Sequence, residues 1–180
     1  MKLEKNIVII TGGPGFGKTE IIEELKKMGR FTCPEFVRDV ISFMYNKDSD
    51  FLPWENLKRF QKEITIRRMN FYLSVDEKSD FVFSDRGLPD QIAFARYHKN
   101  SPSSELTDFV NDCRYFRKVF ITPPWKKIYV SDEIRKETYE ESCSIHKYIM
   151  GIYSELGYSM VEIPFGKPSE RAKFILDNLE

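Results

Sequence analysis

The chain has 180 residues and a mass of 21.3 kDa, which suits one domain, residues 1–180, with a hydrophobic core that needs no disulfides. Lysine plus arginine and aspartate plus glutamate each total 28, so the overall charge favours neither nucleic acid nor an anionic membrane as a partner. The sequence has no apolar run near the roughly 20 residues that span a bilayer and no secretory signal, so we expect a cytoplasmic protein.

The first half of the chain alternates short apolar runs with helical patterns. The run IVIIT (7–11) predicts a buried parallel strand, and KTEIIEELKKMG (18–29) predicts a helix that ends at a glycine. RFTC (30–33) predicts a short strand, and EFVRDVISFMY (35–45) predicts a second helix. Residues 54–75 predict a long amphipathic helix.

The second half repeats this alternation. Three further strands are predicted at FVFSD (81–85), KVFITPP (118–124) and YSMVEIP (158–164). Helices are predicted over residues 87–98, 103–113, 134–156 and 169–179. Parallel strands need long crossover connections, and helices supply them, so the pattern predicts an α/β fold with a parallel sheet covered on both faces.

The segment GGPGFGKT (12–19) has the full P-loop pattern of one glycine, four residues and then Gly-Lys-Thr. Main-chain N–H groups can wrap a polyphosphate only where no Cβ blocks the approach, which explains the glycines. Lys18 is predicted to reach the β- and γ-phosphates, and Thr19 to ligate Mg²⁺. The predicted nucleotide-binding residues are Gly12, Gly13, Pro14, Gly15, Phe16, Gly17, Lys18 and Thr19.

Two further pairs of residues are candidates for the chemistry. Asp85 directly follows an apolar strand, where a carboxylate could orient Mg²⁺ or take a proton, and Arg86 beside it could clamp an anionic group. A local turn with a solvated Arg86 is the alternative. Glu35 and Arg38 share a helix face, so Glu35 could accept a proton from a substrate hydroxyl, although a simple ion pair at a helix start fits equally.

The segment after the fourth predicted strand, about residues 125–140, is a candidate lid. Arg135 within it could bring a cation onto a transferring phosphoryl group, although a solvated helix start explains the charge as well.

The remaining charged and titratable side chains receive no role from the sequence. His98 and His146 have no partner at metal-ligand spacing. Arg67 and Arg68 are expected to be solvated on the long helix.

Two classes of P-loop protein fit poorly. A G protein needs an NKxD motif after the fourth strand, whereas YNKDSD (45–50) lies too early and has Ser49 in the aspartate position. A mechanical motor needs an Asp-Glu pair at the metal strand, and Arg86 stands in the glutamate position.

Six stretches, VIITGGPGFGKT, PEFVRDVI, SDRGLPDQIAFAR, FITPPW, IYVSDEIRKE and ELGYSMVEIP, resemble in this order the small AAA-type domains that include the nicotinamide riboside kinase portion of NadR. The resemblance covers nearly the whole chain and implies a P-loop kinase-like, three-layer α/β/α fold with five parallel strands in the order 2-3-1-4-5. It also implies ATP with Mg²⁺ on the P-loop, and the loop PFGKPSER (164–171) near the base. By the same resemblance, acceptor or metal residues are Glu35, Arg38, Asp85 and Arg86, with Arg135 in the lid.

These features predict a kinase that transfers the γ-phosphoryl group of ATP to a small-molecule acceptor. Lys18, Mg²⁺ and Arg135 would stabilise the moving group, while Glu35 or Asp85 takes the acceptor's proton. Two alternatives stay open, a nucleotide-dependent regulatory module for a protein or acidic-lipid partner, and a simple nucleoside triphosphatase.

Overall fold

The structure, a computed structural model, describes residues 3–34, 36–45, 57–129 and 137–180. Within these ranges the strands are β1 (Leu3–Glu4), β2 (Ile7–Thr11), β3 (Phe31–Thr32), β4 (Val82–Asp85), β5 (Cys113–Arg114), β6 (Lys118–Ile121) and β7 (Ser159–Glu162). The helices are α1 (Lys18–Lys27), α2 (Phe36–Tyr45), α3 (Leu57–Ser74), α4 (Leu88–Tyr97), α5 (Ser104–Asp112), α6 (Tyr139–Glu155) and α7 (Pro168–Asp177), with one 3-10 turn at Lys126–Ile128.

Five strands form one parallel sheet in the order β3-β4-β2-β6-β7, which reads 2-3-1-4-5 when only these strands are counted along the chain. In this register Ile9 of β2 pairs with Ser84 of β4 and with Val119 of β6. The predicted α/β fold class is confirmed. The separate two-stranded parallel sheet of β1 and β5 has no counterpart among the predicted strands.

The central strand β2 explains the three layers. Its side chains alternate between the two faces of the sheet, and those of Ile7 to Ile10 are all fully buried, as expected for a strand covered on both faces. Ile7 and Ile9 pack into a cluster with α3, α4, α5 and α6, whereas Val8 and Ile10 pack with α1 and α7. In the described ranges, none of the helices is both long enough and apolar enough to cross a membrane.

Candidate nucleotide and acceptor site

The P-loop connects β2 to α1 at the carboxyl end of the sheet, where ligands of open α/β sheets bind. Gly17 caps α1 in the left-handed conformation, with φ 77°. Gly12 passes so close to the end of β6 that a Cβ there would lie 2.4 Å from Thr122 Oγ1. Pro14 to Thr19 line the cleft beside the loop, so the predicted phosphate-binding stretch faces open space.

The back of the P-loop rests on α6. The Gly13 N–H donates to His146 Nδ1 at 3.3 Å, and the buried Phe16 ring meets the His146 ring edge-on, 6.0 Å away. Burial, with the nearby charges of Lys18 and Arg86, lowers the pKa of His146 to about 4, so the ring is neutral at pH 7 and its Nδ1 can accept. His146, which receives no role from the sequence, therefore supports the loop.

The cleft side of the P-loop carries an ammonium group from Lys18, a hydroxyl from Thr19 and a carboxylate from Asp85. The buried Lys18 Nζ donates to the carbonyls of Gly12 (3.2 Å) and Gly13 (2.7 Å), which holds the ammonium inside the loop. Thr19 Oγ1 donates to Asp85 Oδ2 at 3.5 Å. Asp85 Oδ1 is buried and has no hydrogen-bond partner among the described residues.

The Thr19 hydroxyl and the Asp85 carboxylate fit a magnesium ion, because Mg²⁺ prefers oxygen ligands and one Asp85 oxygen is unsatisfied. The described part of the chain contains no group of three or more His, Cys, Asp or Glu residues that could hold a metal. Magnesium at this position would therefore take its other ligands from phosphate and water, as it commonly does in kinases.

Arg86 is held by a buried carboxylate that the sequence analysis missed. Its NH1 donates to Asp90 Oδ1 at 2.9 Å, and its side chain is only 12% exposed, so the solvated alternative for Arg86 is wrong. Asp90 also accepts from Gly87 N (2.9 Å), from the Tyr153 hydroxyl (2.7 Å) and from the Thr11 hydroxyl. Burial by itself would raise the pKa of Asp90, but the charge of Arg86 and these donors lower it.

Arg68 corrects a second expectation. It is 6% exposed rather than solvated, and its NH1 donates to the carbonyls of Asp85 (3.1 Å) and Arg86 (2.8 Å). The reason is its position on α3, from which the guanidinium reaches the carbonyl of Asp85, the last residue of β4, and that of Arg86, which follows the strand. Arg67 is also not fully solvated, since its side chain is 33% exposed and it pairs with Glu63 at 3.0 Å.

One cleft of about 590 Å³ joins these groups. It runs from the P-loop past Asp85 and Arg86 into a chamber between α2, α3 and α4, which we call the acceptor chamber. Its apolar lining residues are Val37, Ile41, Leu57, Phe60, Ile64 and Phe94. Glu35 and Arg135 lie outside the described residues, as does the side chain of Arg38, so the structure does not locate these three candidates.

The other end of the cleft lies between the 3-10 turn and α7. Arg171 is buried there, with its guanidinium 5.5 Å from the Trp125 ring centroid and 3.4 Å from the Phe16 carbonyl. Gly166 and Pro168 line the same end. The stretch PFGKPSER (164–171) thus lies beside the P-loop, and its second half, from Pro168, is the start of α7 rather than a loop. Its place near the nucleotide base stays a prediction.

A protein-family model described as AAA domain matches residues 7–171. The chain belongs to the AAA domain family. The resemblance stated from the sequence is confirmed by this match and by the structural similarity to NadR. No curated protein matches the chain.

Three solved structures share the fold of this AAA domain. Deoxyadenosine kinase from M. mycoides with bound dATP has a TM-score of 0.69 at 17% identity, covering 96% of this chain and 98% of that chain. NadR protein in complex with NR has a TM-score of 0.68 at 16% identity, covering 96% of this chain and 51% of that chain. Shikimate kinase from Acinetobacter baumannii in complex with shikimate has a TM-score of 0.59 at 16% identity, covering 98% and 92%. Because the identities are low, these similarities establish a P-loop kinase fold and leave the reaction to be argued from the site.

Proposed function

We propose that this AAA domain is a Mg²⁺-dependent kinase that transfers the γ-phosphoryl group of ATP to a small-molecule acceptor. The observation that carries the proposal is the continuous cleft, in which the P-loop and the acceptor chamber open into each other. Thr19, Asp85 and Arg86 line this same cleft. A triphosphatase needs room only for a water molecule at that point, whereas a kinase needs a second chamber of this kind.

The P-loop half of the cleft would bind the nucleotide. Bound Mg-ATP would supply the transferable phosphoryl group and a cation that neutralises its developing charge. Main-chain N–H groups from Gly15 to Thr19 would bind the phosphates, and the Lys18 ammonium would add its charge. The Thr19 hydroxyl and the Asp85 carboxylate would hold the magnesium, directly or through water.

The chamber half would orient the acceptor hydroxyl. Arg86, fixed by Asp90, would pair with anionic oxygens, and Glu35 or Asp85 would take the proton of the attacking hydroxyl. Arg38 and Arg135 are proposed to add positive charge from the acceptor side and from the lid. Positioning and electrostatics would then supply nearly all of the catalysis.

The test measures ADP and free phosphate separately, with ATP and Mg²⁺, with and without pooled small-molecule acceptors. A kinase produces extra ADP with an acceptor pool and no extra free phosphate. Lys18→Ala should lower this ADP formation at least about 100-fold, because it removes a charge aimed at the transferring group. Lys27→Ala, at the exposed end of α1, is the matched control and should retain activity.

Two results would overturn the proposal. Fast phosphate release that no acceptor changes would indicate a nucleoside triphosphatase. Tight nucleotide binding without turnover would instead indicate the regulatory module that the sequence leaves open.

A further inference from the structure

The turn after β4 holds one residue in a strained backbone conformation. Arg86 has φ 68°, in the left-handed region that residues with a Cβ rarely adopt. In the described part of the chain, the other non-glycine residue with a positive φ is Lys99 (φ 55°), at an exposed position just after α4, where helices commonly end in this way. Arg86 follows a strand instead, so contacts from its surroundings must hold this conformation.

Arg68 of α3 provides two of these contacts. Its NH1 donates to the carbonyl of Asp85 at 3.1 Å and to the carbonyl of Arg86 at 2.8 Å. The Ser84 hydroxyl donates to the same Arg86 carbonyl at 2.8 Å, and the Arg86 N–H donates to the carbonyl of Ile10 at 3.0 Å. The peptide groups on both sides of Arg86 are therefore held, and with them its two backbone torsions.

The Arg68 side chain is itself restrained. It is 6% exposed, and its guanidinium lies 5.9 Å from the centroid of the Phe36 ring on α2. A guanidinium is planar and offers its donors in fixed directions, so one nitrogen can hold two carbonyls at set positions. Burying such a group costs free energy that an apolar residue at this position would avoid. The contacts with the turn therefore explain the choice of arginine better than packing does.

The turn that Arg68 holds carries two side chains of the candidate site. Asp85 is the carboxylate that fits magnesium, with an unsatisfied Oδ1 and with Oδ2 3.5 Å from Thr19 Oγ1. The Arg86 guanidinium lines the same cleft and is bound to Asp90. A relaxation of the Arg86 torsions would shift these two side chains relative to each other and to the P-loop, and small shifts of this kind slow a reaction strongly.

We propose that Arg68 is a positioning residue, which keeps the Asp85–Arg86 turn in the left-handed conformation that the site requires. Arg68 acts through the carbonyls of the turn and takes no direct part in the phosphoryl transfer. The inference rests on the magnesium and nucleotide sites of the proposed function and adds a residue on which their geometry depends.

The first test is the magnesium dependence of nucleotide binding, which needs no acceptor. Isothermal titration calorimetry gives the affinity for a non-hydrolysable ATP analogue in EDTA and at increasing Mg²⁺ concentrations. Arg68→Met removes the donors at a similar side-chain length. It should raise the Mg²⁺ concentration for half-maximal tightening by about 10-fold, as expected when the support of a metal ligand is lost. The affinity in EDTA should stay within about twofold, because the P-loop supplies it.

Two further variants control this test. Lys62→Met removes an exposed cation from the same helix and should keep the wild-type magnesium dependence. Ser84→Ala removes the other side-chain donor to the Arg86 carbonyl, so it tests the same turn even if Arg68→Met does not fold. It should shift the magnesium dependence in the same direction by about two- to fivefold. Circular dichroism melting identifies a temperature at which each variant is fully folded.

The second test uses an acceptor identified with the pools. Arg68→Met should lower kcat by about 10-fold to 100-fold, while KM for ATP changes by less than about threefold. A residue that contributes only to global stability would leave both constants unchanged at a temperature where the variant is fully folded.

The outcomes separate this inference from the proposed function. A wild-type magnesium dependence in both Arg68→Met and Ser84→Ala would overturn the positioning role, even in an active kinase. An equal loss of nucleotide affinity with and without Mg²⁺ would also overturn it, because that pattern indicates general damage to the fold. If the magnesium dependence shifts as expected but no acceptor is phosphorylated, the positioning role stands and the kinase function fails.

Discussion

Asp90→Asn should be one of the most destabilising conservative substitutions in this protein. The wild-type carboxylate is fully buried and accepts four hydrogen bonds, from Thr11, Arg86, Gly87 and Tyr153. An asparagine side chain has the same shape but presents an NH₂ group on one side. That group faces hydrogen-bond donors whichever way the amide is turned, and the Arg86 guanidinium loses its counter-charge.

The expected loss in the free energy of unfolding follows from the burial of this ion pair. Breaking a buried ion pair by removing one partner costs about 3–5 kcal/mol, and screening is weak because the Arg86 side chain is only 12% exposed. Tyr153→Phe removes a single donor and keeps the packing, so it should cost less, about 1.5–3 kcal/mol for a hydrogen bond to a charged group. Asp108→Asn, at an exposed position on α5, should change stability by less than about 0.5 kcal/mol.

Urea unfolding monitored by circular dichroism measures these differences, and its pH dependence adds an independent check. The folded pKa of Asp90 lies below its ordinary value of 3.8, so its contribution is present above that pH and is lost as the pH falls through the folded pKa. The stability gap between wild type and Asp90→Asn should be constant near neutral pH and should narrow below about pH 4.

Two results would refute this reasoning. One is a loss below about 1 kcal/mol at pH 7 for Asp90→Asn, since a buried and fully bonded carboxylate cannot be replaced so easily. The other is a gap that does not change in acid, which would mean that the charge of Asp90 is unimportant.

Three further predictions concern Gly13 in the P-loop, His146 behind the loop, and the general base of the proposed reaction. Gly13→Ala should lower the free energy of unfolding by about 1–3 kcal/mol in urea titrations, because the new Cβ would lie 2.4 Å from the Phe16 ring. The His146 ring should titrate near pH 4 in NMR experiments. Its contribution to stability is therefore present above its ordinary pKa of 6.5 and is lost as the pH falls from 6.5 to about 4. An ordinary pKa for this ring would contradict its support of the P-loop. If Glu35 is the general base, Glu35→Gln should slow phosphoryl transfer by roughly 100-fold, and if Asp85 is the general base, Asp85→Asn should do so. If both variants keep wild-type activity, neither carboxylate is the general base.

Most strands of the main sheet are predictable because their signals are local. The run IVIIT is apolar without alternation, which is typical of a strand covered on both faces, and the strand occupies the same residues, Ile7–Thr11. The pair β1 and β5 has no such signal. Each strand is two residues long, and they pair across more than a hundred residues of sequence, so no pattern within either segment indicates the pairing.

The difference between local and long-range signals also separates the predicted site residues from those that were not predicted. Lys18, Thr19 and Asp85 follow strands or sit in a known motif, so the rule that ligands bind at the carboxyl ends of parallel strands is sufficient to find them. Asp90 and His146 reach the site from helices. Their roles depend on which neighbour the helix packs against, and that is decided by contacts far away in the sequence, such as the one between Asp90 and Tyr153.

Arg67 and Arg68 show most clearly what a sequence pattern cannot predict. They are adjacent and chemically identical, yet Arg67 is partly exposed and pairs with Glu63, whereas Arg68 is buried against the backbone at the end of β4. Successive side chains point about 100° apart around a helix, so a side chain one position further along α3 lies at the cleft instead of facing solvent. A buried arginine looks polar in any hydropathy pattern, which therefore assigns it to the wrong face. Polar residues that serve a ligand break the apolar pattern for this reason. Four residues that line the cleft carry a buried side-chain atom with no hydrogen-bond partner among the described residues, namely Arg68, Asp85, Gln91 and Arg171, and an apolar pattern predicts none of them.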